Sequence, residues 1–302
     1  PEPGPGEIVI AVKAVGLNFF DTLIIAGKYQ YKPDLPFSPG AEIAGVVSAV
    51  GRHVSGFAEG DRVMTHLFWG GCREAIAVAA EKVVPMPEGI GFEAAAGLTV
   101  TYGTTLHALR DRGQLKPGET LVVLGAAGGV GQAAIEIGKV MGAKVIACAS
   151  SDEKLAFCRR IGADETVNYT SQDLKLALKE LSGGKGVDVV YDPVGGDLSE
   201  QALRALGWNG RLLVVGFAAG EIPRIPLNLV LLKGCQIVGV FWGDHARREP
   251  ERHRTNMATL LTWCATGKIT PHVHRTYKLE ETPAALQAIA RREVIGKAIV
   301  AP

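Results

Sequence analysis

Two short stretches of this 302-residue chain combine residue types and spacing suited to chemistry. The first is Gly125-Ala-Ala-Gly-Gly-Val-Gly131, which follows the apolar run Thr120–Leu124 and opens directly on an amphipathic helical segment. In that setting the first glycine makes a tight turn, the middle ones let backbone N–H groups approach a pyrophosphate, and Gly131 lets helix and strand pack closely. The helix N-terminus then meets the phosphates. A bare glycine string reads as a flexible turn; with a strand before it, a helix after it and a second strand at Lys144–Ala149, it reads as a dinucleotide loop.

The second stretch is the end of that second strand. A site for NAD places Asp or Glu there, on the ribose 2′-hydroxyl. Ser150 and Ser151 stand there instead, Asp152 lies beyond the expected point, and Lys154 follows as a cation able to reach a 2′-phosphate. A charge-assisted hydrogen bond of about 1.5–3 kcal/mol would favour NADPH over NADH by about tenfold to a hundredfold. The plainer reading of Lys154 is a solvated lysine on a helix's first turn.

These residues need elements to hold them. Up to about Pro87 the chain shows short apolar runs broken by Gly and Pro: Ile8–Val12, Ile43–Val50, Arg62–Thr65, Ala75–Ala79 and Lys82–Val84, the texture of a compact, mostly β domain. From Gly91 helical stretches alternate with β-branched runs, which implies an α/β unit with a doubly wound parallel sheet. Its strands are expected at Glu119–Leu124, Lys144–Ala149, Val187–Tyr191, Arg211–Val215 and Gln236–Val240, with helices at Gln132–Met141 and Glu153–Ile161. The tail, with helices near Thr255–Ala265 and Thr282–Arg291 and strands at Tyr277–Leu279 and Lys297–Val300, is expected to return to the first domain. The boundaries expected are 1–93, 94–240 and 241–302.

Bulk properties narrow the partners. With 32 basic and 31 acidic side chains the net charge is +1, which gives no broad field for nucleic acid or an anionic membrane, so a small-molecule partner is expected. Five scattered cysteines, with no CxxC, favour a reducing cytoplasm and no disulfide framework. No apolar run is long enough to span a bilayer, and the start has no signal-peptide core. The chain opens on a Pro/Gly segment without an initiator Met, so a preceding stretch is expected.

Ordered motifs point to one family. GLNFFDTLIIAGKY at 16–29, FSPGAEIAGVV at 37–47, GLTVTYGT at 97–104, AAGGVG at 126–131, RIGADETVNY at 160–169, YDPVGGD at 191–197 and VFWG at 240–243 resemble the zinc-independent quinone oxidoreductase branch of the medium-chain dehydrogenase/reductase superfamily. The resemblance covers essentially the whole chain. It implies a mostly β, GroES-like catalytic domain joined to a Rossmann domain, and NADPH as cofactor. Where zinc dehydrogenases of the superfamily have Cys-His and Gly-His-Glu, this chain has Asn18-Phe19 and Gly40-Ala41-Glu42, and it lacks a four-cysteine lobe. Because Zn²⁺ favours Cys sulfur and His nitrogen, no metal is expected.

By the same resemblance, Asn18, Tyr29 and Tyr102 are expected as catalytic residues, supplying amide and phenol donors. Phe19, Asp21 and Thr22 would lie with Asn18 beside the nicotinamide, and Ala127, Gly128, Gly129 and Val130 would take the pyrophosphate. Ser150, Lys154 and Tyr169 would take the adenosine phosphate end, Gly216 and Phe217 the nicotinamide ribose, and Val240, Phe241 and Trp242 the carboxamide. Lys297 is a weaker candidate for the cofactor. Each aromatic also has a packing reading: Tyr29 as a loop anchor, Tyr102 in helix packing, Trp242 in a core.

With no Ser/His/Asp or Cys/His arrangement, the hard step belongs to the cofactor's hydride, and the protein positions two planar molecules. A quinone accepting hydride becomes an oxyanion that amide and hydroxyl donors can stabilise. Reduction of an activated C=C bond in enals, enones or enoyl thioesters is the alternative. A protein that binds the dinucleotide without turnover is the rival from another class. His272 and His274 lack a third ligand; 245–254 is basic but interleaved with Glu249, Pro250 and Glu251, so no RNA-binding role is expected; 183–186 lacks the spacing of a P-loop. Gln236–Val240 would be an edge strand, and a homodimer through it is expected.

Overall fold

The computed structural model describes residues 1–302. In chain order it has β1 Glu7–Leu17, α1 Phe19–Ile25, β2 Glu42–Val50, β3 Arg62–His66, β4 Ala75–Ala79, β5 Val83–Pro85, α2 Phe92–Ala96, α3 Thr99–Leu106, β6 Thr120–Leu124 and α4 Gly129–Val140. There follow β7 Lys144–Ala149, α5 Asp152–Arg160, β8 Glu165–Asn168, α6 Leu174–Leu181, β9 Val187–Asp192, α7 Asp197–Ala205, β10 Leu206–Val214 and α8 Leu227–Lys233. Then come β11 Gln236–Gly239, α9 Trp242–Arg248, α10 Pro250–Ala265, β12 Val273–Lys278, α11 Thr282–Ala290 and β13 Lys297–Ala301. A π-helical stretch, His107–Arg112, follows α3.

The chain forms two compact units. One comprises Pro1–Thr101 with Met257–Pro302, the other Tyr102–Asn256. The first carries a seven-stranded sheet in the order β12-β13-β1-β2-β3-β5, with β4 also paired to β1. Strand β1 is its spine, antiparallel to β2, β4 and β13. Ile8, Ile10, Val15, Ile43, Val47, Val63 and Val300 form its core, joined by Tyr277 and Ala285 of the tail.

The second unit is a six-stranded sheet, β11-β10-β9-β6-β7-β8, parallel at every pairing. The chain starts in the middle at β6, fills one side with β7 and β8, then crosses to β9, β10 and β11. That reversal is the switch point at which such sheets bind ligands, outside the carboxyl ends of their strands. Strand β6 is buried along Leu121–Leu124 and β7 along Val145–Ala149, as expected of strands covered on both faces.

Both units match the expected layers, but the return lies at Met257, not near residue 241. Helix α9 and the first turns of α10 stay with the second unit because their side chains are anchored there. Trp242 packs where a Cβ on Gly103 would come within 2.9 Å of its indole. His245 stacks on His107 with centroids 3.8 Å apart, and Asn256 donates to Asp111 at 2.9 Å. Likewise α2 belongs to the first unit, where its Ala95 and Ala96 are buried. All five cysteines are free. No helix is long and apolar enough to cross a membrane.

Candidate active site

In the second unit the glycine loop leaves β6 through Gly125, whose φ of 58° is left-handed. Gly128 caps α4, and the helix's first bond runs from the Gln132 N–H to the Gly128 carbonyl at 2.8 Å. The amides of Gly129, Val130 and Gly131 therefore have no intrahelical acceptor, the condition that makes a helix start an anion site. At Gly131 a Cβ would come within 2.4 Å of the Gly125 carbonyl and 2.7 Å of the Ala126 Cα, so the loop closes only on glycine. At Gly128 a Cβ would meet nothing nearer than 3.5 Å, an open face toward which a phosphate can come. The loop fits a dinucleotide.

The expected 2′-phosphate residues come together at the ends of β7 and β8. Lys154 Nζ donates to Ser150 Oγ at 3.4 Å, the Tyr169 amide donates to the Ala149 carbonyl at 3.2 Å, and Thr170 Oγ1 reaches the Ser150 carbonyl at 3.4 Å. Asp152 accepts from Asn168 Nδ2 at 3.0 Å, so the nearby acid is held by a neighbour of its own.

Gly216 and Phe217 follow β10 beside a turn that sequence reasoning did not assign. The Asp192 carboxylate accepts from the Val194 and Gly195 amides, each at 2.9 Å, and from Ser199 Oγ at 2.5 Å, while its carbonyl accepts from the Gly216 amide at 3.3 Å. Asp192 thus shapes the loop that follows the switch-point strand. The signal was present in the run YDPVGGD. The Val240 amide is tied to the Val214 carbonyl at 3.0 Å, and Phe241 is 48% exposed. Trp242 is different: it is buried against Gly103, edge-on to His253 at 5.4 Å, so its place is in helix packing.

Tyr102 also takes its packing role. It is 1% exposed; its hydroxyl donates to the Glu136 carboxylate and accepts from Gln132 Nε2 at 3.0 Å, both on α4. Its phenol proton is thus directed to a buried carboxylate on α4.

In the first unit Asn18 caps α1 and is held at both ends of its side chain. Its Nδ2 donates to Glu42 Oε1 at 2.9 Å, and its Oδ1 accepts from Lys297 Nζ at 2.8 Å. Lys297 Nζ also donates to Glu42 Oε1 at 2.5 Å and to the Leu17 carbonyl at 2.9 Å, and Glu42 Oε2 accepts from the Val100 amide at 2.6 Å. An ammonium at one end and a carboxylate at the other leave only one orientation for the amide. One N–H of the Asn18 amide is not used by these bonds, while its oxygen also takes part in the capping box at the start of α1. Lys297 and Glu42 are both buried, so Lys297 sits inside the protein as the partner of Glu42.

Asp21 and Thr22 are spent on local structure. Thr22 Oγ1 donates to the Phe19 carbonyl at 2.6 Å, and Asp21 accepts from the Asn18 amide at 2.7 Å and the Gly40 amide at 3.0 Å. Burial raises the Asp21 carboxyl to about 7 against the pull of those two amides and of Lys297. Burial, with Asp21 nearby, raises the Cys72 thiol to about 12.

Half-buried Phe19 begins α1, and the next residue starts an aromatic row. Phe20 stacks on Tyr29 at 5.6 Å, Tyr29 meets Tyr31 at 6.2 Å, Tyr31 meets Phe68 at 4.4 Å, and Phe68 meets Trp69 at 6.2 Å. Burial first, then Tyr31 and Asp21, raise the Tyr29 hydroxyl, so it keeps its proton and can donate it. Sequence reasoning missed Tyr31, Phe68 and Trp69; their signal was a concentration of aromatics in turn-rich segments.

The zinc-site positions do not fit zinc. They present the Asn18 amide, the Ala41 methyl and a Glu42 whose oxygens are already held by Asn18, Lys297 and Val100. Elsewhere His107, Asp111 and His245 offer ligand atoms within 4.8 Å of one another. The Asp111 carboxylate is taken by His107, Asn256 and Arg252, and the two imidazoles lie face to face, so one ion cannot lie in both ring planes.

A GroES-like unit and a parallel sheet with a dinucleotide loop in one chain define a class of nicotinamide dehydrogenase, and comparison with known proteins agrees. The alcohol dehydrogenase GroES-like domain matches residues 4–109, and the family described as zinc-binding dehydrogenase matches 129–262. Quinone oxidoreductase-like protein 2 of Rattus norvegicus is 40% identical over 99% of this chain and 86% of its own. The crystal structure of Escherichia coli quinone oxidoreductase complexed with NADPH superposes with a TM-score of 0.92 at 32% identity, covering 100% of this chain and 93% of that one. The CurK enoyl reductase superposes at 0.89 with 29% identity, over 100% and 92%. The chain belongs to the quinone oxidoreductase branch of the medium-chain dehydrogenase/reductase family.

Proposed function

We propose that this chain is a zinc-independent reductase that passes hydride from NADPH to a quinone. The observation that carries this reading is the Asn18 carboxamide, clamped by Lys297 and Glu42 at the position where zinc relatives hold a thiolate. NADPH, when bound, supplies the hydride. The amides at Gly129 to Gly131 bind its pyrophosphate, and Ser150, Lys154 and Tyr169 its 2′-phosphate end. The free Asn18 N–H and the Tyr29 hydroxyl receive the charge that grows on the quinone oxygen, a fixed pair of donors that needs no rearrangement during reaction. A proton from solvent completes the hydroquinone. The aromatic row from Phe20 to Trp69 offers flat faces suited to a planar ring.

Reduction of an activated C=C bond is the second reading, favoured by the likeness to an enoyl reductase. Following NADPH and NADH oxidation against matched quinones, enones and enoyl thioesters tests both. Quinone turnover with NADPH preferred is the expected result. Activity confined to alkenes overturns the first reading in favour of the second, and tight NADPH binding with no acceptor turned over points to a binding protein.

The working form proposed is a cytoplasmic homodimer. Strand β11 pairs only with β10, leaving an edge on which Gln236 and Ile237 are exposed beside Leu227 and Leu231 of α8. Sedimentation of wild type and Ile237→Lys checks it: a dimer that the variant splits supports the pairing, and a wild-type monomer rejects it.

A further inference from the structure

The dinucleotide loop lies at the carboxyl ends of the parallel strands of the second unit. At the opposite edge, where β9 and β10 begin, is a cavity of about 260 Å³ lined by Lys179, Lys185, Lys233, Trp208 and Leu232 over the backbone of Gly184 and Gly207. No carboxylate is among its lining residues. Lys233 donates to the Leu206 carbonyl at 2.7 Å, which fixes its ammonium at the cavity. Burial first, then Lys179, make that ammonium easier to deprotonate; Cys235 pulls the other way and Lys175 adds to the effect, and no carboxylate is among these causes. The lysines of this chain that form ion pairs are Lys139, Lys144 and Lys297, none of them here.

A lysine at a helix C-terminus has a simple reason to exist, since it complements the helix dipole, and Lys179 and Lys233 each end a helix. That does not explain why they converge, with Lys185, on one cavity with no counter-charge, where like charges repel. Nor does it explain Trp208. Its indole is 75% exposed yet held in place, because a Cβ on Gly234 would come within 2.5 Å of the ring. A fixed aromatic face beside clustered ammonium groups suits a ligand that joins a planar ring to a phosphate.

We propose that this cavity binds a phosphomonoester whose sugar also carries a planar base, the chemistry of a free 5′-mononucleotide, at a site separate from the cofactor loop. The lysines hold the phosphate dianion and Trp208 stacks on the ring. The volume is larger than a bare phosphate requires, which leaves room for the rest of the ligand.

The test uses the full chain with its cofactor site saturated by NADP⁺, so that the dinucleotide loop cannot contribute. GMP is titrated while tryptophan fluorescence and heat are followed, with guanosine and inorganic tripolyphosphate as separate arms. The expected result is saturable, salt-sensitive quenching by GMP, with guanosine and tripolyphosphate both weaker. Lys179→Ala combined with Lys233→Met should weaken GMP at least about tenfold, and Trp208→Leu about fivefold or more while removing the quench. Lys179→Arg with Lys233→Arg should retain binding, which separates lost charge from lost fold. Quinone reduction should be unchanged in all of these variants. Absence of saturable binding, guanosine or tripolyphosphate binding as tightly as GMP, or binding that survives the paired lysine change overturns the proposal.

Discussion

Lys297 Nζ lies 2.8 Å from Asn18 Oδ1, a contact that joins residues 279 apart in sequence and sets the direction of the amide proposed for catalysis. The same ammonium is paired with Glu42, so each single substitution strands a buried charge. Glu42→Gln or Lys297→Met alone should cost about 3–5 kcal/mol of stability, and the double variant Glu42→Gln/Lys297→Met should recover most of it in chemical denaturation. Turnover should not recover. Without the charge behind Asn18, kcat for quinone should stay about tenfold to a hundredfold down while the NADPH Kd is unchanged. A double variant with wild-type kcat would show that the pair serves only the fold.

The two expected catalytic tyrosines should separate cleanly. The Tyr102 hydroxyl is bound to Glu136 and Gln132, so Tyr102→Phe should lower stability by about 1–3 kcal/mol and leave kcat within about twofold. Tyr29 keeps its proton on a half-buried ring, so Tyr29→Phe should lower kcat about tenfold or more with little change in melting temperature. Steady-state kinetics beside thermal melts check both, and wild-type turnover in Tyr29→Phe would remove that residue from the mechanism.

The contrast shows what the sequence made legible. Strands β6, β7 and β9 and helix α4 were readable because burial on both faces leaves unbroken apolar runs and because glycine punctuates the loop between strand and helix. Ser150 and Lys154 could be singled out because they flank the junction where β7 ends and α5 begins, and their side chains meet at 3.4 Å. The contacts of Lys297 with Asn18 and Glu42 were not legible, since they are brought together by the pairing of β1 with β2 and β13, which no local pattern encodes. The packing of Trp242 against Gly103 and of Tyr102 against α4 was not legible, because a motif fixes residue identity while the neighbours that a side chain meets come from distant parts of the chain. Short helices such as α1 and α8 escaped notice because seven residues are too few to show a helical period.

Asp21 makes stability depend on pH in an unusual direction. Its carboxyl ionises near 7 in the folded chain against 3.8 as the ordinary value, so between those values the native state holds a proton that the unfolded chain has released. Its contribution to stability therefore falls as pH rises through this window, by up to about 1.4 kcal/mol per unit, and levels off above it. The stability difference between wild type and Asp21→Asn, which does not titrate, should shrink from about pH 5 to about pH 7 and then stay flat. A difference that grows with pH over that range would contradict the burial argument.

The glycine loop offers a paired test of shape against binding. Gly131→Ala places a methyl 2.4 Å from a carbonyl oxygen that cannot move freely, so it should lower stability by about 1–3 kcal/mol and disrupt NADPH binding as well. Gly128 has an ordinary φ of −78° and open space at its Cβ. Gly128→Ala should therefore keep the melting temperature of the free protein while weakening NADPH about tenfold or more, because the methyl occupies the phosphate's approach. Calorimetric titration with melting curves checks the pair. Tight NADPH binding by Gly128→Ala would move the pyrophosphate elsewhere.

Lys154 is the residue proposed to decide between the two cofactors. Its ammonium is already turned to Ser150 Oγ at the end of β7, and Asp152, the acid that would repel a 2′-phosphate, is engaged by Asn168. Binding a phosphate there gains a charge-assisted bond without moving the helix. NADH has no group to accept it. Lys154→Ala should weaken NADPH by about tenfold to a hundredfold and NADH by less than about threefold, whereas Lys154→Arg should keep the preference. Equal loss for both cofactors would mean that the Lys154 side chain does not read the 2′-phosphate, and the discrimination would then have to come from Ser150 or Tyr169, since the cap bond from the Lys154 backbone N–H to Ser151 survives the substitution.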